Sequence, residues 1–291
     1  MKESLADRIK KLYIGLYKTP LLVKLGLFIL LLVIFMGLFG SLIAPYDPFT
    51  QNIAFRLSPP LSVIAEKHHI FGTDPLGRDI LSRIILGARV SLIISLVSVL
   101  CAGTFGTVAG IISGFYRGFL DIVISRIIDI QLAIPFMILA VAIAAILGPG
   151  LTNTVLVLTV TTWARYARLV RAQTLSLREN EFVESARAMG AGDFRIMFYH
   201  IAPNLLSTVI IISVLEVARI ILAEAALSFL GLSVKPSTIT WGAMVADGRD
   251  YLGRAWWVST IPGLAILTTV LGFNLLGNWI RDKLDPTLRI L

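Results

Sequence analysis

The chain has 291 residues, of which 56% are hydrophobic and only 15% are charged, and its formal net charge is +8. A soluble domain normally carries about a quarter charged residues, so this composition excludes an ordinary soluble protein. The basic residues lie at the ends of apolar runs and form no stripe interleaved with aromatic residues, which excludes a nucleic-acid partner and points to a lipid membrane.

Six apolar segments predict transmembrane helices and an all-α membrane protein. Each is long enough to cross a hydrocarbon core of about 30 Å at about 1.5 Å per residue. A cleaved secretory signal is disfavoured for the first segment, because a signal has an apolar core of only about 7–15 residues. The predicted spans cover residues 25–44, 90–113, 120–147, 151–170, 203–230 and 257–280.

These spans divide the chain into a tail with the first span, an extracytoplasmic loop region, a five-helix core and a second tail. The corresponding ranges are residues 1–45, 46–89, 90–280 and 281–291. An even number of spans places both termini on one side of the membrane. That side is predicted to be the cytoplasm, because the tails and the loop of residues 171–202 are richer in Lys and Arg than the opposite loops.

The second predicted span contains a regular series of glycines, Gly106, Gly110 and Gly114. Small residues at a spacing of four let helices approach closely in lipid, so the series predicts tight packing rather than a binding site. The single cysteine, Cys101, excludes an intrachain disulfide.

The loop of residues 171–202 is a hydrophilic stretch between the fourth and fifth predicted spans. Residues 178–189 contain no Pro or Gly and predict about three helical turns. Gly190 follows at the position where helices favour a left-handed residue. Asp193 can cap a second helix over residues 194–200, and Pro203 then falls in the first turn of the fifth span. By geometry alone, the loop is either a solvated connection or a surface for a soluble partner.

The spacing of five residues in and after this loop resembles the EAA loop of ABC importer permeases. The residues are Glu184, Ser185, Ala186, Gly190 and Pro203. The family pattern is Glu-Ala-Ala, three residues, Gly, nine residues, Ile, one residue and Leu-Pro. Three positions depart from it, namely Ser185, His200 and Ala202. His200 followed by Ile-Ala-Pro-Asn is similar to a variant found in peptide and nickel importer permeases.

Three further segments are similar to the same permeases. They are residues 71–92, with Gly-Thr-Asp-Pro-Leu-Gly-Arg-Asp and Gly-Ala-Arg-Val-Ser-Leu, residues 224–242, and residues 274–286. Together the similar segments cover the chain from about residue 45 to its end. The one-span N-terminal extension also resembles the C-type subunit of dipeptide and oligopeptide importers. The resemblance implies a type I ABC importer permease fold in a bacterial or archaeal inner membrane.

The resemblance also implies a non-catalytic subunit with several partners. These are two ATP-binding subunits, a homologous but distinct second permease and an extracytoplasmic solute-binding protein. The sequence has no Gly-x-x-x-x-Gly-Lys-Ser/Thr loop, so ATP and Mg²⁺ are expected on the ATPase subunits and no cofactor on this chain. The residues expected to make or position the ATPase contact are Glu184, Ser185, Ala186, Arg187, Gly190 and Pro203.

The resemblance is compatible with two classes of cargo. Di- or oligopeptides are favoured, and nickel or a metal–chelator complex is the alternative. On hydropathy alone an ion-coupled secondary transporter is a more distant alternative, since such carriers need no ATPase.

Ionisable residues inside a span are costly and therefore suggest function. The fifth span and its end carry Glu216, Arg219 and Glu224 as candidates for a translocation pathway. Glu216 and Arg219 are three residues apart and can pair on one helix face, so structural pairing is the competing interpretation. No metal site is predicted, because His68, His69 and Asp74 fall short of the three or four convergent ligands that transition metals require.

Overall fold

The computed structural model describes residues 20–64 and 67–284 of the chain. The predicted tail segments at residues 1–19 and 285–291 lie outside the described residues. The helices are α1 Leu21–Ile43, α2 Ile80–Tyr116, α3 Gly118–Ala133, α4 Phe136–Leu147, α5 Leu151–Leu177, α6 Glu181–Ala188, α7 Asp193–Phe229, α8 Trp241–Gly248 and α9 Trp257–Leu284. Two short strands, β1 Ser62–Ile64 and β2 Lys67–His69, pair antiparallel.

The number of helices that are long and apolar enough to span a membrane differs from the six predicted. In the described residues, α1, α2, α7 and α9 are long and apolar enough to cross a membrane, and α3 with α4 would make five if they form one span. Helix α5 has 27 residues, which is long enough, but it is more polar than these helices. Arg165, Arg168 and Arg171 in its second half and several threonines make it polar. The count of six is therefore not exact, although the fold is mostly helical as predicted.

The third predicted span, residues 120–147, is broken into α3 and α4, which meet at 94°. Pro135 lies at the break and has no backbone N–H to continue the helix. The residue before a proline is driven out of the helical region, and Ile134 accordingly has a ψ of 129°. The continuous span was a wrong prediction because Pro135 outweighs the apolar composition on both sides of it.

Helix α2 begins ten residues before the predicted second span. Asp79 occupies the N-cap position, and its side chain accepts a hydrogen bond of 2.8 Å from the backbone N–H of Ser82. The predicted boundary between residues 89 and 90 thus falls inside a helix of 37 residues.

The glycines of α2 pack directly against α5, as the sequence predicts. A Cβ atom at Gly110 would lie 2.7 Å from the carbonyl oxygen of Ala167, and one at Gly114 would lie 2.8 Å from that of Arg171. Such distances leave no room for a side chain, so the two helices approach backbone to backbone.

The segment before α2 is fixed to α8 by charged residues at one end of the bundle, called here the α8 end. Arg78 Nε lies 2.6 Å from Asp74 Oδ2, and its Nη2 lies 3.4 Å from Asp247 Oδ2 on α8. Arg83 Nη2 contacts the same Asp247 oxygen at 3.5 Å. The opposite end of the bundle carries α6 and is called the α6 end.

Candidate functional site

Helix α6 is shorter than the predicted helix of residues 178–189, because residues 178–180 form the turn that leads out of α5. Its charges follow the helix dipole, with Glu181 and Glu184 in the first turn and Arg187 in the last. These charges stabilise a helix of only eight residues.

The buried face of α6 anchors it to the transmembrane bundle. Val183 and Ala186 are each only 1% exposed. They belong to an apolar cluster with α2, α5 and α7, whose members include Ile111, Phe115, Val170, Met197, Ile201 and Leu205. Ala186 therefore seats the helix and does not lie on the surface that a partner could touch. A force applied to α6 would pass into α2 and α7 through this cluster.

The exposed face of α6 and the following turn form a mixed polar and apolar surface, called here the coupling face. It combines two sets of side chains, namely the exposed members of the predicted site and nearby large apolar residues. Met189 is 81% exposed and Phe194 is 67% exposed. Such a patch is typical of a protein-binding site. The coupling face consists of Glu184, Ser185, Arg187, Met189, Gly190 and Phe194.

Gly190 ends α6 in the left-handed conformation that the sequence predicts, with a φ of 83°. Its N–H donates to the carbonyl oxygen of Arg187 at 3.0 Å, and the N–H of Ala191 donates to that of Ala186 at 3.0 Å. This pair of bonds is the Schellman arrangement. It turns the chain sharply from α6 toward α7.

The separate second loop helix predicted over residues 194–200 is wrong, because it is continuous with the fifth span in α7. A π-helical turn at Ile196–Ile201 joins the two parts, and the N–H of Ala202 bonds the carbonyl of Met197. Pro203 lies just after this turn and lacks an N–H, while Asn204 Nδ2 donates to the carbonyl oxygen of His200 at 2.6 Å. The π turn and the Asn204 side chain let the helix accommodate Pro203 without ending. Pro203 thus lies away from the coupling face but on the same rigid helix.

Two of the three predicted pathway residues form an ion cluster inside the bundle. Arg219 Nε lies 2.6 Å from Glu216 Oε2, which confirms their pairing. Arg165 of α5 approaches the other carboxylate oxygen of Glu216 at 3.6 Å. The guanidinium of Arg219 also stacks over the ring of Phe136, 4.3 Å from its centroid.

Arg165 and Glu216 face a cavity of about 640 Å³ between α3, α5 and α7. Arg168 also lines it and is paired with Asp129 at 2.6 Å. Arg165 was not among the pathway residues predicted from the sequence. The sequence did carry a signal for this site, because several arginines lie in a segment that is predicted to cross the membrane. The remaining wall is apolar and includes Leu132, Ile212 and Leu215.

Glu224 does not belong to this cavity. It is 1% exposed and accepts hydrogen bonds from Ser228 at 2.7 Å and Ser233 at 3.1 Å. Its carboxylate holds the end of α7 against the following loop. The structure therefore separates Glu224 from Glu216 and Arg219.

Comparisons with protein families place two matches on the chain. The family described as "binding-protein-dependent transport system inner membrane component" matches residues 106–290. The N-terminal transmembrane domain of oligopeptide transport permease C matches residues 22–60. The first match covers more than half of the chain and includes α6, the coupling face and the charged cavity.

Curated relatives are similar over nearly the whole chain. The di/tripeptide transport system permease protein DppC of Pseudomonas aeruginosa is 45% identical, over 91% of this chain and 88% of that protein. The dipeptide transport system permease protein DppC of Haemophilus influenzae is 42% identical, over 91% and 90%. The probable D,D-dipeptide transport system permease protein DdpC of Escherichia coli is 40% identical, over 92% and 88%.

Among solved structures, a chain of the MetNI methionine ABC transporter in an inward-facing conformation has a similar fold. It superposes with a TM-score of 0.59 at 20% identity, over 69% of this chain and 96% of that chain. This similarity supports the type I ABC importer permease fold.

Proposed function

The chain belongs to the family of binding-protein-dependent transport system inner membrane components, and we propose that it is a non-catalytic permease subunit of an ATP-driven peptide importer. Peptide cargo is supported by the relatives, which are named for dipeptides, tripeptides and D,D-dipeptides. None of the relatives reported above is named for nickel, and that alternative is not retained.

The observation that carries the proposal is an exposed helix anchored through its other face to the transmembrane bundle. Glu184, Ser185 and Arg187 are exposed, and the guanidinium of Arg187 also lies over the ring of Phe115, 5.9 Å from its centroid. Val183 and Ala186 are buried against α2 and α7. Such a helix can seat in a groove of an ATPase subunit and transmit a rotation into the spans. ATP and Mg²⁺ would bind to two partner ATPase subunits, and this chain would bind neither.

The cavity between α3, α5 and α7 is our candidate for this chain's part of the cargo route. Two guanidinium groups, those of Arg165 and Arg219, share the single carboxylate of Glu216. The group therefore carries one excess positive charge in a largely apolar wall. A charge inside a membrane protein is costly unless it is compensated, and the carboxylate of a passing peptide would compensate it.

The two ends of the bundle differ in their charged residues, which supports a proposal for the remaining partners. We propose that the α6 end faces the cytoplasm together with both termini, and that the segment of residues 46–79 and α8 face the opposite side. That opposite surface would receive an extracytoplasmic solute-binding protein. A second, homologous permease would complete the translocation pathway.

The coupling assignment is tested by reversing one charge on the coupling face. Glu184→Lys is expected to reduce uptake of a radiolabelled dipeptide at least about tenfold, because a reversed charge at a protein interface opposes binding. Asp282→Lys is the control, since Asp282 is exposed on α9 and belongs neither to the coupling face nor to the α8 end. Membrane levels of both variants are compared by immunoblot. Uptake at the parental rate by a normally inserted Glu184→Lys variant would contradict the proposal.

A further inference from the structure

A second cavity, of about 430 Å³, lies between the end of α1, the first turns of α2 and the loop before α8. Its size falls in the range of about 300–1,000 Å³ that is usual for pockets that bind small ligands. The walls are mostly apolar, and the cavity is distant in the fold from the coupling face. We call it the α1–α2 groove, and its lining includes Leu38, Ser41, Leu86, Arg89, Ile93 and Thr238.

The groove exists because α1 and α2 approach closely just beside it. A Cβ atom at Gly37 would lie 3.5 Å from the Cα of Arg89, and one at Gly40 would lie 3.2 Å from the carbonyl oxygen of Ile85. Close backbone packing on one side leaves the side chains of Leu38 and Ile93 on the open side, where both are exposed. These exposed aliphatic groups sit in a helix pair that is apolar enough to cross a membrane.

Arg89 is a charged group near the α8 end of the apolar helix pair α1 and α2. It is level with Gly37, which precedes the end of α1 at Ile43 by about two helical turns. At that depth an arginine extends its guanidinium toward the lipid headgroups. Arg89 is exposed, and among the residues that the structure describes no side-chain hydrogen bond or ion pair of Arg89 is found. The groove therefore holds an uncompensated positive charge.

We propose that the α1–α2 groove binds one anionic glycerophospholipid of the leaflet at the α8 end. The guanidinium of Arg89 binds the phosphate, and an acyl chain lies along Leu38, Leu86 and Ile93. An arginine fork pairs with phosphate by charge-assisted, often bidentate hydrogen bonds, which suits this headgroup. The hydroxyl groups of Ser41 and Thr238 line the same groove and can donate to the remaining phosphate or glycerol oxygens. Arg89 also lies in the Gly-Ala-Arg-Val-Ser-Leu segment, to which the proposed transport function gives no role.

The test is native mass spectrometry of the detergent-purified complex titrated with phosphatidylglycerol or phosphatidylcholine. Parental protein is expected to bind phosphatidylglycerol more tightly than phosphatidylcholine. Arg89→Gln is expected to raise the Kd for phosphatidylglycerol about five- to tenfold and to abolish this preference. A tenfold change corresponds to about 1.4 kcal/mol. Ser41→Trp, which fills the groove and leaves the charge in place, is expected to weaken binding as well.

Arg254→Gln is the matched control, because Arg254 is exposed near the α8 end and does not line the groove. It should bind phosphatidylglycerol like the parental protein. Unchanged lipid binding by Arg89→Gln would overturn the proposal. Complete displacement of the lipid by millimolar inorganic phosphate would also overturn it, because the acyl chain would then contribute nothing. The proposal would also be overturned if the Arg89→Gln complex lost a partner subunit and kept the lipid.

Discussion

Gly190 and Gly192 lie two residues apart in one turn, yet only one of them depends on being glycine. Gly190 has a φ of 83°, whereas Gly192 has a φ of −70° that any residue adopts. Neither position is crowded, since a Cβ atom at either would have nothing within 4 Å. The difference between them is therefore purely one of backbone conformation.

Gly190→Ala is expected to destabilise the turn after α6 by about 1–2 kcal/mol, which is the cost of a left-handed residue with a Cβ atom. Dipeptide uptake should fall because α6 no longer holds its orientation. Gly192→Ala is the control and should transport like the parental protein. Hydrogen exchange of the peptide that contains residues 181–192 should rise in the first variant only. Equal exchange in both variants would contradict the role of the φ angle.

The excess charge of the ion cluster rests on Arg165, which meets Glu216 only at 3.6 Å. Arg219 is held much more firmly, at 2.6 Å and by stacking on Phe136. Removing Arg165 should thus leave a neutral and intact pair, while removing Arg219 would disturb the packing of α4 against α7.

Arg165→Gln is expected to lower dipeptide uptake several-fold, because the attraction for the cargo carboxylate is lost while the fold persists. Arg165→Lys keeps the charge and should retain most of the uptake. The informative measurement is uptake against dipeptide concentration, with the thermal unfolding midpoint of each variant as the check on folding. A Gln variant that transports as well as the Lys variant would remove Arg165 from the cargo route.

At the scale of elements, the contact between α2 and α5 is the tightest helix pair that bears on the site. Its glycine series places the backbones in direct contact, and α5 in turn leads into α6. Any larger side chain at one of these glycines must push α2 and α5 apart. The orientation of α6 thus depends on packing within the bundle.

Gly110→Ala is expected to destabilise the protein by about 1–3 kcal/mol, the usual cost of overpacking. The added methyl group would lie 2.7 Å from a backbone oxygen of α5, which cannot rotate away. Gly263→Ala in α9 is the matched control, because a Cβ atom there has nothing within 4 Å. Thermal unfolding in detergent should show a lower midpoint for the first variant and no loss for the second. Similar midpoints would show that α2 and α5 are free to separate.

The whole molecule has two chemically different ends, and its orientation is set by the charges of those ends. Cys101 is the only cysteine of the chain, so a variant without it accepts single reporters. In a Cys101→Ala background, Glu184→Cys should react with a membrane-impermeant maleimide only in inside-out vesicles. Asp250→Cys should react in intact spheroplasts. The reverse pattern would invert the proposed topology and place the coupling face away from any cytoplasmic ATPase.

The amino-acid sequence was sufficient to predict the membrane class, the helical composition, the left-handed turn at Gly190 and the close packing of the α2 glycines. Each follows from local chemistry: the length of an apolar run, the lack of a Cβ atom, or the spacing of small residues. The resemblance of Glu184, Ala186, Gly190 and Pro203 to a permease loop was also a matter of spacing along the chain. These features need no knowledge of which helices are neighbours.

Which side chains meet became visible only in the folded molecule. It buried Ala186 against α2 and α7, brought Arg165 to Glu216 from another helix, and separated Glu224 from both. It also replaced one long span by α3 and α4, and carried α7 through Pro203 by a π turn. The reason is physical, because contacts between helices depend on their rotation and depth in the bundle. A helix that is apolar on all sides specifies neither its rotation nor its depth in the bundle.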